Sequence, residues 1–562
     1  MKISTSSWFL LLAITAHIQT VRVAPVPGQF PYRNNPPSAV QGYLDKRNDL
    51  FEEEHTLRFD TARIRNATTQ ELRATEIIEG IRRYEEASVW SADPNKEPGM
   101  SYLWAKDTIA QTDLFKQIKK MPKGGLLHAH MDAMCDASYL LKSALEYPNM
   151  HIRTTSVLNS SAPFPLPTFK PLTRDEANQY SNNTLPTSQS YVPGSWVAAH
   201  RVRDEFPNEL GGPEGFDKWI INSLTISAQD SYVEYNTSAK IWEKFSSTFV
   251  VAFGLMRYEP VWKRCVDQVL VSQIEDGVSY VEMRVAFDPA LSFISEDGTR
   301  NLTNSQILQV TQDAVDGVKE RMKEQGRGGD FVGARVIYTA TRSISYTEMV
   351  SALDDCLAQK AKYPNLVVGF DMASREDSGH QLLFFAEALL NFRAKAKKRG
   401  LDIPFIFHAG ETLDDGGEVD SNLYDAFLLG TKRIGHGFSL VKHPLLMQKY
   451  KENKIAVEVC QISNELLRLT RSANTHPLPI LLNYGVPVVL SSDDAGVFQN
   501  PGVSFDFYQA IVASNITNIL SLGQIARQSL EYSSLDSTTK AAALENWERR
   551  WGKFIDDIVA SG

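Results

Sequence analysis

The sequence predicts an α/β protein: a (β/α)8 TIM barrel with a helical N-terminal domain and an insertion after the first barrel strand. Two observations predict it. Eight short, β-rich apolar runs alternate with helical stretches, which is the rhythm of a closed parallel barrel. Histidines and acids gather at the C-terminal ends of those runs, the end where barrel enzymes build their sites.

The first four predicted strands are "GGLLHAHMD" (124–132), "VSYVEMRV" (278–285), "FVGARVIYTA" (331–340) and "NLVVGFDMA" (365–373). The other four are "IPFIFHAGE" (403–411), "RIGHGF" (433–438), "IAVEVCQIS" (455–463) and "PVVLSSDDA" (487–495). Helical patterns such as "SGHQLLFFAEALLNFRAKAKKRG" lie between them. Only the gap between the first two strands is too long for one crossover. Its stretch 148–215 is rich in Pro, Ser, Thr and Asn. It reads as part of an insertion, about 146–235, on a loop that borders the barrel mouth, and so as a cover for a pocket.

The barrel is expected over 119–562. Before it, residues 25–118 read as the helical domain. Val40, Tyr43, Leu44, Leu50, Phe51 and Leu57 recur at helical spacing, as do Ile77, Ile78, Ile81 and Tyr84. Such a stripe must pack on the main body or on another subunit. Residues 25–37 are Pro-rich. The first 24 residues, with Lys2 and the apolar stretch Trp8–Ala16, read as a secretory signal peptide. Sequons beginning at Asn66, Asn159, Asn182, Asn236, Asn301 and Asn515 fit a secreted, extracellular glycoprotein. No other run is long and apolar enough for a membrane helix. The net charge of −9 offers no electrostatic reason to bind nucleic acid or an anionic membrane. The four cysteines, Cys135, Cys265, Cys356 and Cys460, are too scattered for a disulfide scaffold and read as buried thiols.

The strand ends carry the chemistry. His128 and His130 are two apart and share a strand face. His408 ends the fifth strand, with Glu411 three residues on. His436 ends the sixth, and Asp493 and Asp494 end the eighth. In a closed barrel these ends meet at one mouth. His128, His130, His408 and Asp493 then form a three-nitrogen, one-oxygen set suited to zinc. Zinc brings the pKa of bound water down to roughly 7. Glu411 is placed to shuttle a proton, His436 to orient the attacking water, and Asp494 to face the substrate. Glu282 and Arg284 read as an internal salt bridge or a site feature. His55, His151, His200, His380, His443 and His476 have no partner at useful spacing.

"MPKGGLLHAHMD", "FHAGET", "RIGHGF", "EVCQISN" and "SSDDAGVF", in this order, resemble the adenosine deaminase family of zinc aminohydrolases. "IWEKFSSTF", "GFDMASREDSGH" and "WERRWGKFIDDIV" are similar to its secreted branch, the adenosine-deaminase-related growth factors. The resemblance implies one zinc ion on His128, His130, His408 and Asp493. It implies that Glu411 protonates purine N1, that His436 positions the hydroxide and that Asp494 bonds to N7. It makes Asp132 a ribose contact and Trp242, Phe245 and Phe249 a substrate wall. It also implies a homodimer through the N-terminal helices.

The chain departs from the family at three places. Ser374 stands where a Gly is usual, Thr341 where secreted relatives often carry His, and the insertion lacks cysteine. Ser374 and Thr341 are expected to tune substrate binding. The function read from the sequence is secreted, zinc-dependent deamination of adenosine or 2′-deoxyadenosine. The alternatives are a related aminohydrolase on another purine, and a secreted signalling or binding protein that retains the fold. The HxE and PCxxC signatures of the cytidine-deaminase type are absent.

Overall fold

The computed structural model describes residues 38–288 and 291–562. The expected signal peptide and the Pro-rich segment 25–37 lie outside the described residues.

All eight expected barrel strands form. They are β1 (Gly124–His130), β2 (Val278–Ala286), β3 (Gly333–Thr341), β4 (Val367–Ala373), β5 (Ile406–Ala409), β6 (Arg433–His436), β7 (Ala456–Val459) and β8 (Val488–Leu490). Strands β1–β4 make one parallel sheet in sequence order, and β5–β8 make a second. Two isolated parallel bridges, Phe370 with Phe405 and Ala129 with Asp493, join the sheets edge to edge. The second is held by Asp493 N–H to the His128 carbonyl at 3.2 Å and His130 N–H to the Asp493 carbonyl at 3.3 Å. The ring is thereby closed, and no sheet edge is left open at the mouth.

Strands β5, β7 and β8 are shorter than their apolar runs suggest. The 403–411 run leaves strand geometry at Gly410, whose φ is +85°. The 455–463 run turns into the helix Gln461–Leu466. In the 487–495 run Asp493 takes a φ of +57°. "HMDA" likewise leaves β1 after His130, and Met131–Met134 form a helical turn. Asp132, Glu411, Asp493 and Asp494 therefore sit on turns past the strand ends, where their side chains are free of the pleat.

The stretch between β1 and β2 is ordered around a small antiparallel sheet, Thr168–Pro171, Met150–Arg153 and Val197–Ala198 in that order across it. The expectation that residues 148–215 cover the pocket is corrected: none of them lines it. The wall comes instead from the next helix, Ser238–Met256, and the small sheet braces that helix from behind. A Cβ on Gly254 would lie 2.5 Å from the Phe169 carbonyl oxygen, so only Gly allows this contact.

The N-terminal region is helical from Ser38. Helix Thr69–Glu85 starts with a capping box between Thr68 and Glu71 and buries Ile78. Glu71 also accepts from Trp551 Nε1 at 2.8 Å, and Arg63 packs on the Trp551 ring. Wide contacts thus join this region to the C-terminal helix Ser537–Ser561. Helix Ser38–Leu57 differs: it buries no residue, and Tyr43 and Leu50 are each 65% exposed. Its C-terminal end meets the helix Leu478–Tyr484 and the turn at Gly485, but its apolar stripe is not buried against its own chain.

All four cysteines are buried and unbridged, as expected.

Candidate active site

Strand alternation sends His128 and His130 into the mouth, and β5 and β6 bring His408 and His436 beside them. The sixth strand can come this close because Gly435 has no side chain: a Cβ there would lie 2.5 Å from the His128 ring. His130 Nε2 is 3.2 Å from His408 Nε2. Asp493 Oδ1 is 3.3 Å from His128 Nε2 and 3.4 Å from His130 Nε2. Four donors around a tetrahedral zinc at ~2.05 Å would stand about 3.3 Å apart. His128 Nε2 and Asp493 Oδ1 are buried with no hydrogen-bond partner, a costly state unless a cation joins them. The residues present therefore fit a zinc ion. Cys460 also reaches this cluster, beside His128, His436 and Asp493; its thiol donates to the Glu458 carbonyl at 3.7 Å.

The ring tautomers follow from the far nitrogens. His128 Nδ1–H donates to Glu458 at 2.8 Å, and His408 Nδ1–H donates to Asp371 at 2.7 Å. Both Nε2 lone pairs then face the centre. Burial lowers the His130 and His408 pKa values, the latter to about 3, which keeps both rings neutral and able to ligate.

Beneath them lies a charge network whose members Asp371, Arg433 and Glu458 sit within the motifs "GFDMASREDSGH", "RIGHGF" and "EVCQISN" but have no role assigned from the sequence; only Glu282 and Arg284 are singled out there. Arg284 donates to Asp371 at 2.6 Å and to Glu458 at 2.8 Å. Arg433 joins Glu458 to Glu282, both at 2.5 Å. Every member is fully buried or nearly so. "VEMRV" thus serves both of its sequence readings: Arg284 is an internal ion-pair partner and also supports two ligand-holding carboxylates.

The acids differ sharply. Burial opposes charge on Asp493, yet His128, His436 and His130 hold its carboxyl well below the usual range. Burial, with Asp493 and Glu376 nearby, raises the Glu411 carboxyl well above it. Burial, Asp493 and Glu411 do the same to Asp494. Glu376, missed in the sequence, fixes Glu411 by accepting from its backbone N–H at 2.9 Å and from Gly410 N–H at 3.3 Å. His436 Nδ1–H donates to Asn464 at 3.0 Å, and Asn464 in turn donates to His476 at 2.9 Å. His476, expected to stand alone, therefore belongs to the site's support. The Asn in "EVCQISN" was the available signal.

The cavity over this cluster measures about 230 Å³. It brings together His130, His408, Glu411, His436, Asp493, Asp494, Asp132, Trp242, Phe245, Phe249, Thr341 and Ser374; His128 lies beneath, fully buried. Trp242, Phe245, Phe249 and Phe253 recur along one helix face and form the apolar wall. Ser374 holds a φ of +92°, His436 of +62° and Asp493 of +57°. Such angles are strained for side-chain-bearing residues and collect at functional sites. The Thr341 hydroxyl donates to Asp288 at 2.9 Å.

A family model described as adenosine deaminase matches residues 220–549. The chain belongs to the adenosine deaminase family. It is 33% identical to adenosine deaminase 2-A of Danio rerio over 465 residues, covering 82% of this chain and 84% of that one. It is 34% identical to an adenosine deaminase of Lutzomyia longipalpis, covering 80% and 81%. Among solved structures, an Arabidopsis ADAL structure complexed with GMP superposes with a TM-score of 0.50 at 15% identity, covering 77% of this chain and 98% of that one. At that identity the likeness bears on the fold alone.

Proposed function

We propose that this deaminase-family member is a secreted enzyme that hydrolyses adenosine or 2′-deoxyadenosine to inosine or 2′-deoxyinosine and ammonia, with one zinc ion held by His128, His130, His408 and Asp493. The observation that carries it is the meeting of converging ligand atoms with two buried carboxyls, whose pKa values burial raises, under one aromatic wall. Zinc, when bound, supplies Lewis acidity that makes water a nucleophile near neutral pH.

The chain's own groups do the rest. Trp242, Phe245 and Phe249 flank the flat purine and exclude water. Asp494, protonated, donates to N7. Glu411, protonated, donates to N1 and lowers the cost of adding oxygen at C6. His436, its Nδ1 proton held by Asn464, turns a basic Nε2 toward the attacking water. The proton it gathers passes to the leaving amino group. Asp132 meets the ribose. The Ser374 backbone N–H remains available to the ring.

The signal-peptide pattern and the sequons support export and glycosylation, and the exposed helix Ser38–Leu57 supports a homodimer through the N-terminal helices. The test is product analysis: purified protein with adenosine should release inosine and ammonia in equal amounts. Release of neither, with adenosine recovered intact, rejects the reading.

A further inference from the structure

Asp132 is fastened by a residue outside every sequence motif, Arg257. It follows the wall helix directly and is almost fully buried. Its Nη2 donates to Asp132 Oδ1 at 2.9 Å and to the Ala286 carbonyl at 3.1 Å, and its Nη1 to the Leu291 carbonyl at 2.7 Å. Its guanidinium carbon lies 4.5 Å from the Phe253 ring centroid and 4.7 Å from that of Phe293. Asp132 Oδ2 accepts from Ala286 N–H at 3.2 Å. Asp132, Phe253, Ala286 and Leu291 all line the cavity, so one guanidinium ties four pieces of its wall together.

The pairing also sets charge. A buried cation is costly without a partner, and Asp132 is the acid that pairs with Arg257. Among the described residues, no lysine or arginine lines the cavity. A substrate therefore meets a carboxylate oxygen backed by a compensating cation. A ribose hydroxyl can donate to that oxygen, whereas a phosphate would be repelled by it.

We propose that the Asp132–Arg257 pair is a specificity determinant that admits nucleosides and rejects their phosphates, with Arg257 a positioning residue that acts through Asp132. This rests on the deaminase reading above. Removing the Asp132 charge would leave an uncompensated guanidinium beside the cavity, and guanidinium is a strong phosphate partner.

The test assays wild type, Asp132→Asn, Arg257→Met and Arg257→Lys with adenosine and with adenosine 5′-monophosphate, with the zinc content of each preparation measured. Asp132→Asn is expected to raise the monophosphate-to-adenosine ratio of kcat/KM about tenfold or more. Arg257→Met is expected to raise KM for adenosine about tenfold while kcat moves less than about threefold, with zinc retained. Arg257→Lys keeps the charge but cannot span three acceptors; it should fall between, and it replaces the Met variant if that one does not fold. An unchanged ratio in Asp132→Asn, or a loss confined to kcat in the Arg257 variants, overturns the proposal and leaves the deaminase reading standing. A wild type inactive on adenosine overturns that reading instead; calorimetric binding of the two compounds to the same variants then decides the role of the pair.

Discussion

In the proposed mechanism Glu411 carries the proton transfer, and its environment suits an ordinary Glu to that role. Burial, with Asp493 and Glu376 nearby, raises its carboxyl well above the usual range, and the backbone bonds to Glu376 hold it in place. Glu411→Gln keeps the shape and removes the transferable proton. Zinc content should be unchanged while kcat falls by about 10²–10⁴-fold; an unchanged kcat would remove Glu411 from the mechanism. Ser374 is a second residue-scale case. Gly adopts its φ of +92° freely, whereas a side chain there costs of order 1–3 kcal/mol. Ser374→Gly should stabilise the protein by about 1 kcal/mol in denaturant unfolding, and combined with Thr341→His it should lower KM for adenosine. A less stable Ser374→Gly variant would mean that the serine hydroxyl makes a compensating contact. The positive φ was not legible in the sequence, because serine itself carries no sign of it. Only the comparison with the family's usual glycine pointed to that position.

At the scale of elements, the barrel floor and its strand ends work as one unit. Arg284 on β2 links Asp371 on β4 with Glu458 on β7, and these acids orient His408 and His128. Arg284→Met would leave Asp371 buried without its guanidinium partner and Glu458 with Arg433 alone, which costs about 3–5 kcal/mol, and should weaken zinc binding by roughly 10–100-fold. Chelator competition on the folded variant measures this, and unchanged zinc affinity would make the network purely structural. Another element junction is Glu465, which accepts from Tyr102 N–H at 2.8 Å and from the Tyr232 hydroxyl at 2.7 Å. It pins the N-terminal helices and the β1–β2 excursion to the helix after β7. Burial raises its pKa from 4.5 to about 7, against the opposing pull of its hydrogen bonds and of Arg468. The fold favours its protonated form, so this contribution is complete below about pH 4.5 and is lost as pH rises through about 7, on the order of 3 kcal/mol in all. Glu465→Gln should flatten that dependence and be more stable than wild type at pH 8; equal pH profiles would contradict it. The strands themselves were readable because buried parallel strands are continuous apolar runs. Their ends were not, because the same apolar run continues into helix or turn at Gln461, Gly410 and Asp493. The Arg284 and Arg257 contacts were not legible either, since ion pairs between distant strands and helices leave no spacing in the sequence.

On the scale of the whole molecule, the N-terminal helices and the C-terminal helix clasp the barrel through Glu71, Arg63 and Trp551, while helix Ser38–Leu57 is left with Tyr43 and Leu50 in solvent. A homodimer would cover that face. Tyr43→Glu with Leu50→Glu should convert a dimer to a monomer in analytical ultracentrifugation without unfolding the barrel, and a wild type that sediments as a monomer would rule the dimer out. The barrel's closure between β1 and β8 brings Asp493 to His128 and His130, so fold and metal site are one construction. Metal titration against activity probes that union most directly: wild type and Asp493→Ala are stripped by chelator, zinc is returned stepwise, and bound zinc and adenosine turnover are followed together. In wild type both should rise in parallel to one zinc per chain, and in Asp493→Ala neither should recover. Full turnover by the stripped wild type, or full zinc binding and turnover by Asp493→Ala, would contradict a zinc deaminase built on these four ligands.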